Sequence, residues 1–331
     1  MEFKDRHIQQ LHRNQSFDFT ELALQLFQYQ AQHNEVYKAY ISHLHVAPQQ
    51  VTQLEHIPFL PIEFFKTHDV KTGTFEPEVT FYSSGTTQMT RSRHFVSHLN
   101  WYTYTTRLIF EQYYGSLQDY VVLALLPSYL EQGGSSLVAM VDYFIQQTGQ
   151  EEKGFYLHEH GKLLQAMQHA RQRGKKVLLI GVSYALLDWA ARLHGKEDFS
   201  GVTIMETGGM KGRRREMIRE ELHAHLKQGF GVDAIHSEYG MTELLSQAYS
   251  LGDSIFRPGY TMRVLLRDLN DPFDVNHNLR SGGINVIDLA NVDSCAFIET
   301  KDIGRSHDNG GFEVLGRFDN SDIRGCNLMV V

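Results

Sequence analysis

Two cysteines, Cys295 and Cys326, are all that the chain carries. That excludes the disulfide framework of a small secreted scaffold and a cysteine-based metal cluster, and it makes a reducing cytoplasm the expected location. Long apolar runs are missing too: VVLALL at 121–126 is far shorter than the ~20 residues a membrane-spanning helix needs. The first residues, MEFKDRHIQQ, lack the apolar stretch of a secretion signal, so neither a targeting segment nor a membrane span is expected. Positive charge is in deficit, with 31 Lys and Arg against 39 Asp and Glu and a net charge of −8. This argues against a nucleic-acid backbone or an acidic membrane surface as the main partner. No internal repeat or low-complexity tract is found.

What remains is an ordinary globular composition, 42% hydrophobic and 11% aromatic over 331 residues, enough for a sizeable core. Apolar residues recur at helical spacing from 17 to 46, with Asp18 and Glu21 placed as a capping box and a break expected near His33 and Asn34. Pro58 and Pro61 bracket a turn. From there short buried runs alternate with amphipathic ones. The expected strands are DYVVLALL, GFYL, KKVLLIGV, VTIME and VDAIHS, with helices near 98–115, 134–148, 160–173, 183–194 and 213–228. After about residue 250 the helical pattern gives way to MRVLLRD, GGINVIDLA, CAFIET and GFEVLG, strands separated by Gly, Asn and Asp turns. The expected architecture is a mostly parallel α/β core over 76–250. An N-terminal helical segment over 1–75 packs on it, and a β-rich portion, in the manner of a small barrel, covers 251–331.

The stretch FYSSGTTQMTRSR at 81–93 sets four hydroxyls around Gly85 after a strand-like VTFY. Such a loop is either a plain Ser/Thr turn or a cradle of neutral donors for phosphate oxygens. No Gly-Lys-Ser/Thr follows, so it is not a Walker loop; Arg91 and Arg93 are the nearest cations. ETGGMKG at 206–212 and HSEYGMTE at 236–243 follow expected strands, at the ends where open α/β sheets collect ligands. IETKDIG at 298–304 and LGRFDNSDIRG at 315–325 add an acid and an arginine.

In this order and approximate spacing the set resembles the adenylate-forming superfamily of acyl-CoA synthetases, peptide-synthetase adenylation domains and luciferases. The ending GRFDNSDIRGCNLMVV with ETGGMKG is most similar to the LuxE-type acyl-protein synthetases, relatives of phenylacetate-CoA ligase, and the likeness covers residues 75–331. It implies ATP and Mg²⁺, with a fatty or other carboxylic acid activated as an acyl-adenylate. The acyl group then passes to a thiol and onward to an acceptor protein or reductase. On the same ground Ser83, Ser84, Gly85, Thr86 and Thr87 would hold the β and γ phosphates, Thr242 the α-phosphate, and Glu243 the Mg²⁺. Tyr239 would offer a flat face for adenine with Gly240 beside it in the cofactor site, Gly208 and Gly209 would admit the nucleoside, Asp302 would hold the ribose, and Arg317 would bridge ribose or phosphate. Cys326 would take the acyl group as a thioester, with Arg324 favouring its thiolate. Each residue also has a plainer reading: surface turn acids, a half-buried tyrosine, a small buried cysteine.

Two departures stand out. Gln88 replaces a usual glycine, and the sequence ends six residues after Gly325, where most members continue into a mobile domain bearing a catalytic lysine. The positive charge would then fall to Lys211, Arg213 or Arg93, or the chain would be a nucleotide- or acyl-binding subunit for a partner enzyme. A rival enzyme class rests on GVSYA at 181–185, a strand-turn-helix pattern near the nucleophile elbow, with Ser183 either a serine acyltransferase or esterase nucleophile or a helix cap. His158 with His160 and His223 with His225 have two-residue spacing, which suits a metal only on a strand. Solvated histidines are expected there, and KGRRR at 211–215 reads as a helix face.

Overall fold

The computed structural model describes residues 2–12, 16–84, 90–126, 134–152, 154–193, 197–208, 217–276 and 278–318. Helices α1 (Phe3–His12), α2 (Phe19–His33) and α3 (Glu35–His43) come first. Asp18 accepts the N–H groups of Thr20 at 2.8 Å and Glu21 at 3.1 Å and so starts α2. Asn34 both ends α2, its N–H on Gln30 C=O, and starts α3, its side chain accepting Tyr37 N–H at 3.0 Å. The expected break at this residue is therefore a double cap. Helix α1 carried no recognised start signal.

Next come β1 (Leu60–Pro61), α4 (Phe64–Thr67) and a two-stranded sheet of β2 (Val79–Tyr82) and β3 (Arg93–Val96), whose connection is the hydroxyl-rich loop. The α/β part follows: α5 (Leu99–Tyr114), β4 (Tyr120–Leu125), α6 (Ser136–Thr148), α7 (His160–Gln172), β5 (Lys176–Val182), α8 (Ser183–Ala190), β6 (Val202–Thr207), α9 (Arg219–Phe230) and β7 (His236–Tyr239). Then come β8 (Ala248–Ser250), β9 (Phe256–Pro258), β10 (Met262–Arg267), β11 (Ser281–Asp288), β12 (Phe297–Ser306) and β13 (Phe312–Arg317). Strands β4 to β7 are parallel neighbours, and every residue of β4 is buried, as suits strands covered on both faces.

Eleven strands join in one sheet, in the order β10, β11, β12, β13, β9, β8, β7, β6, β5, β4, with β1 alongside β12. The mixed α/β architecture is the expected one. The β-rich portion is hydrogen-bonded into it where β9 pairs with β8, Phe256 opposite Ser250. The N-terminal helices pack on β12: the rings of Phe27, Tyr37 and Phe59 lie 5.9, 6.1 and 6.4 Å from that of Phe297. No described helix is long and apolar enough to cross a membrane.

Some expectations need correction. GFYL makes only an isolated bridge between Ala124 and Phe155, because Gly154 turns the chain at φ 86°. VDAIHS pairs only from His236, opposite Met205, and its strand continues to Tyr239. The described part of the helix expected at 213–228 runs from Arg219 to Phe230, where Gly231 closes it in the left-handed conformation. Strands β8 and β9 are three residues each, too short to leave a period in the sequence.

Candidate functional site

Strands β6 and β7 end side by side, with Glu206 opposite Ser237 and Thr207 opposite Glu238. Gly208 follows β6 at φ 69°, a conformation that suits glycine, and Tyr239 and Gly240 end β7. Across the sheet Asp302 and Arg317 are direct partners in β12 and β13. The Tyr239 hydroxyl donates to Asp302 Oδ2 at 3.0 Å, and Arg317 Nε lies 3.7 Å from Asp302 Oδ1. Burial pushes the Asp302 carboxyl above its ordinary pKa against the Arg317 charge. Three residues named from separate motifs thus meet. The Tyr239 ring itself is 7% exposed, with Phe256 and Phe312 packed on it at 5.7 and 5.2 Å.

Thr242 and Glu243 lie in the turn from β7 to β8. Glu243 is buried, and that burial raises its pKa; a hydrogen bond from Ser92 and the charges of Arg317 and Lys66 oppose the rise. The Arg317 charge thus acts on both Glu243 and Asp302. Lys66, on α4, was not singled out in the sequence, because a lysine seventeen residues before the hydroxyl loop belongs to no local pattern. The Thr242 carbonyl accepts from His94 Nδ1 at 2.7 Å, and His94 Nε2 faces Asn291 Oδ1 at 3.0 Å. Burial pushes the His94 pKa down, although both ring nitrogens meet acceptors.

Ser83 closes the β2–β3 pair: its N–H reaches Ser92 C=O at 3.1 Å, and its Oγ accepts Ser92 N–H at 2.9 Å. Arg91 Nε donates to its carbonyl. Ser84 is exposed. Gly85, Thr86, Thr87, Gln88, Gly209, Lys211, Arg213, Arg324 and Cys326 lie outside the described residues, as does the KGRRR run. Arg93 pairs with Asp69 at 2.9 Å.

A buried polar group at the ends of β6 and β7 was missed. Burial raises the Glu238 carboxyl to about 7, with the Thr207 hydroxyl donating to it. Glu206 is equally buried, yet hydrogen bonds from His223 and Ser237 with the Arg219 charge outweigh its desolvation and hold its pKa down. The only sequence signal was an acid just before the end of each strand.

Ser183 is the first residue of α8 rather than its cap, which is Val182 with no side-chain bond. Its hydroxyl is 1% exposed and points to Glu206 Oε2 at 2.9 Å and Gly208 C=O at 2.7 Å. A hydroxyl shared between a carboxylate and a carbonyl has neither an imidazole base nor an approach for substrate, so the nucleophile-elbow reading does not suit it. His223, expected to be solvated, is buried because its Nε2 sits 3.2 Å from Ser237 Oγ. Cys295 is also buried, which pushes its thiol up to about 12 and keeps it from acting as a nucleophile.

Among the described residues no group of three His, Cys, Asp or Glu could cage a metal. Magnesium differs, since it takes one or two carboxylates and completes its shell with phosphate oxygens and water. Glu243, a buried carboxyl that follows Thr242 in the chain, fits that donor set.

No protein-family model matches the sequence, and no curated protein matches it. Solved structures do. ATP-bound MatB from Rhodopseudomonas palustris superposes with a TM-score of 0.51 at 17% identity, over 72% of this chain and 47% of that one. The chain shares the fold of that MatB structure. An ATP-bound chimera of RpMatB and BxBclM gives 0.53 at 15% identity, over 74% and 49% of the two chains. Apo MatB gives 0.50 at 18% identity, over 72% and 47%. The chain thus spans about half the length of the MatB structures it matches.

Proposed function

We propose that the chain activates a carboxylic acid with ATP, forming an acyl-adenylate and pyrophosphate, and passes the acyl group to a thiol. The observation that carries this reading is the meeting of Tyr239, from the end of β7, with Asp302 and Arg317 of β12 and β13, and the action of the Arg317 charge on the buried Glu243 as well. Its ordered motifs and the ATP-bound state of structures with the same fold support it.

Asp302 and Arg317 would hold the ribose, and the hydroxyl loop from Ser83 to Thr87 the outer phosphates. Gly208, Gly209 and Gly240 would let backbone approach the nucleoside. Glu243 would hold Mg²⁺, which when bound offsets charge on the phosphates. Thr242 would donate to the α-phosphate as the acid's oxygen attacks it. Arg317 and Lys66, whose charges act on Glu243, would add positive charge at this end of the site. Cys326 would then receive the acyl group, displacing AMP, and hand it to an acceptor protein or a reductase. A fatty acid is the substrate class implied by the LuxE resemblance.

ATP–pyrophosphate exchange over a panel of carboxylic acids tests the activation step. Exchange dependent on an acid is expected; ATP binding with no exchange for any acid would instead leave a binding subunit. For the transfer step, labelled acid plus ATP should give a hydroxylamine-sensitive protein adduct that Cys326→Ser abolishes. Survival of the label in that variant removes Cys326 as acceptor.

A further inference from the structure

The turn carrying Thr242 and Glu243 is held by its backbone. His94 Nδ1 donates to Thr242 C=O at 2.7 Å. The Asn291 amide donates to Glu243 C=O at 2.8 Å and to Cys295 C=O at 3.0 Å, and its oxygen faces His94 Nε2 at 3.0 Å. With both amide hydrogens on carbonyls, the orientation of Asn291 is set, because the flipped amide would press its oxygen against two others. Further along the same turn, the N–H groups of Leu245 and Ser246 end on Asp288 Oδ2 at 2.7 and 3.1 Å. Four backbone groups between 242 and 246 are thus fixed by three buried side chains from outside the turn.

Those side chains are anchored in turn. Gln30 of α2 donates to Asn291 C=O at 2.9 Å and Ser294 C=O at 3.0 Å, and accepts Ala296 N–H at 2.9 Å. His7 of α1 meets Leu289 C=O and Trp101 of α5 donates to Ala290 C=O, both at 2.8 Å. The Phe65 ring stands edge-on to His94 at 6.0 Å. The loop 289–296 is therefore a rigid bed between the N-terminal helices and the turn.

Magnesium demands near-ideal octahedral geometry, so a carboxylate that holds it must be placed to within a fraction of an ångström. We propose that His94 and Asn291 are positioning residues, which through two successive backbone carbonyls aim the Thr242 hydroxyl and the Glu243 carboxylate at the metal-bearing phosphates of ATP. This rests on the nucleotide reading above. Neither residue need touch ATP, so both act through the turn.

The test compares wild type with His94→Phe, which fills the space beside Phe65 but donates nothing, and His94→Gln, which restores a donor. Calorimetry gives ATP affinity with Mg²⁺ and with EDTA, and thermal unfolding without nucleotide reports the fold. In His94→Phe the affinity for Mg·ATP should fall at least tenfold, affinity for metal-free ATP less than twofold, and His94→Gln should recover part of the loss. A purely structural role would lower the melting temperature and weaken both affinities alike, and that result overturns the proposal. So does wild-type Mg·ATP affinity in His94→Phe. Should the histidine variants not fold, Asn291→Ser, which removes the Glu243 and Cys295 bonds together with the contact to His94, is read by the same ratio. Wild type that binds Mg·ATP without exchange sinks the ligase reading alone, while wild type that binds no Mg·ATP overturns both.

Discussion

Glu238 should make the protein less stable as pH rises, and the size of the effect follows from its surroundings. Its folded-state pKa is raised from 4.5 to about 7, mainly by burial, with the nearby Glu206 charge adding to the rise. The folded state therefore holds a proton that the unfolded chain releases between those values. Stability from this group is full below pH 4.5 and is lost as pH rises toward 7. At 1.36 kcal/mol per pKa unit the loss is about 3 kcal/mol, a sizeable share of a typical folding free energy. Glu238→Gln removes the titration but keeps an oxygen for the Thr207 hydroxyl. Urea unfolding of both proteins at half-unit steps from pH 4.5 to 8 isolates the group, since the other titrations cancel in the difference. The curves should nearly coincide at pH 4.5, and the variant should be the more stable by about 3 kcal/mol at pH 8. Parallel curves across the range would refute the reasoning and mean that the carboxyl is solvated.

Other outcomes follow from the same geometry. Asp302→Ala should raise the ATP concentration giving half-maximal exchange about tenfold or more, with the acid dependence unchanged, if Asp302 is the acceptor for nucleotide hydroxyls as proposed. Ser183→Ala should leave exchange within about threefold and lower stability by about 1 kcal/mol. Labelling of wild-type Ser183 by a fluorophosphonate would contradict its buried, carboxylate-bound hydroxyl. Asp18→Ala, which strips the cap from α2, should cost about 1 kcal/mol in urea unfolding. A cost near zero would mean that tertiary contacts alone set that helix start.

Much of the fold could be read in the sequence where a period or a cap was at work. The alternation of buried runs with amphipathic helices gave β4 to β6, and Asn34 marked the helix break because few residues serve both as stop and start. Strands β8 and β9 stayed hidden, since three residues such as AYS carry no alternation and take their conformation from neighbours. The site was legible as far as motifs reach. Tyr239, Asp302 and Arg317 come together as the separate segments implied, whereas His94 looked like one of 18 histidines. Its proposed role rests on the Thr242 backbone carbonyl and the Asn291 side-chain oxygen, about 150 and 200 residues away, which no local spacing encodes. Ser183 shows the converse. A strand-turn-helix motif specifies the turn, but the direction of the hydroxyl depends on Glu206 in the next strand.

The grip of Gln30 on the loop 289–296 also bears on how the chain reaches its native state. Gln30 and Asn291 are separated by 261 positions, so their contact closes a very large loop. Closure entropy grows only slowly with length, yet such pairings form late and slow the search for the native topology. On a ribosome, α2 can be made early but cannot take up its buried partners until most of the sheet has emerged. Until then Phe27 and Tyr37, whose rings pack on Phe297, remain without their native cover. The nascent protein thus passes through a long interval in which its N-terminal helices are sticky, the period when aggregation or capture by a chaperone competes most strongly with folding.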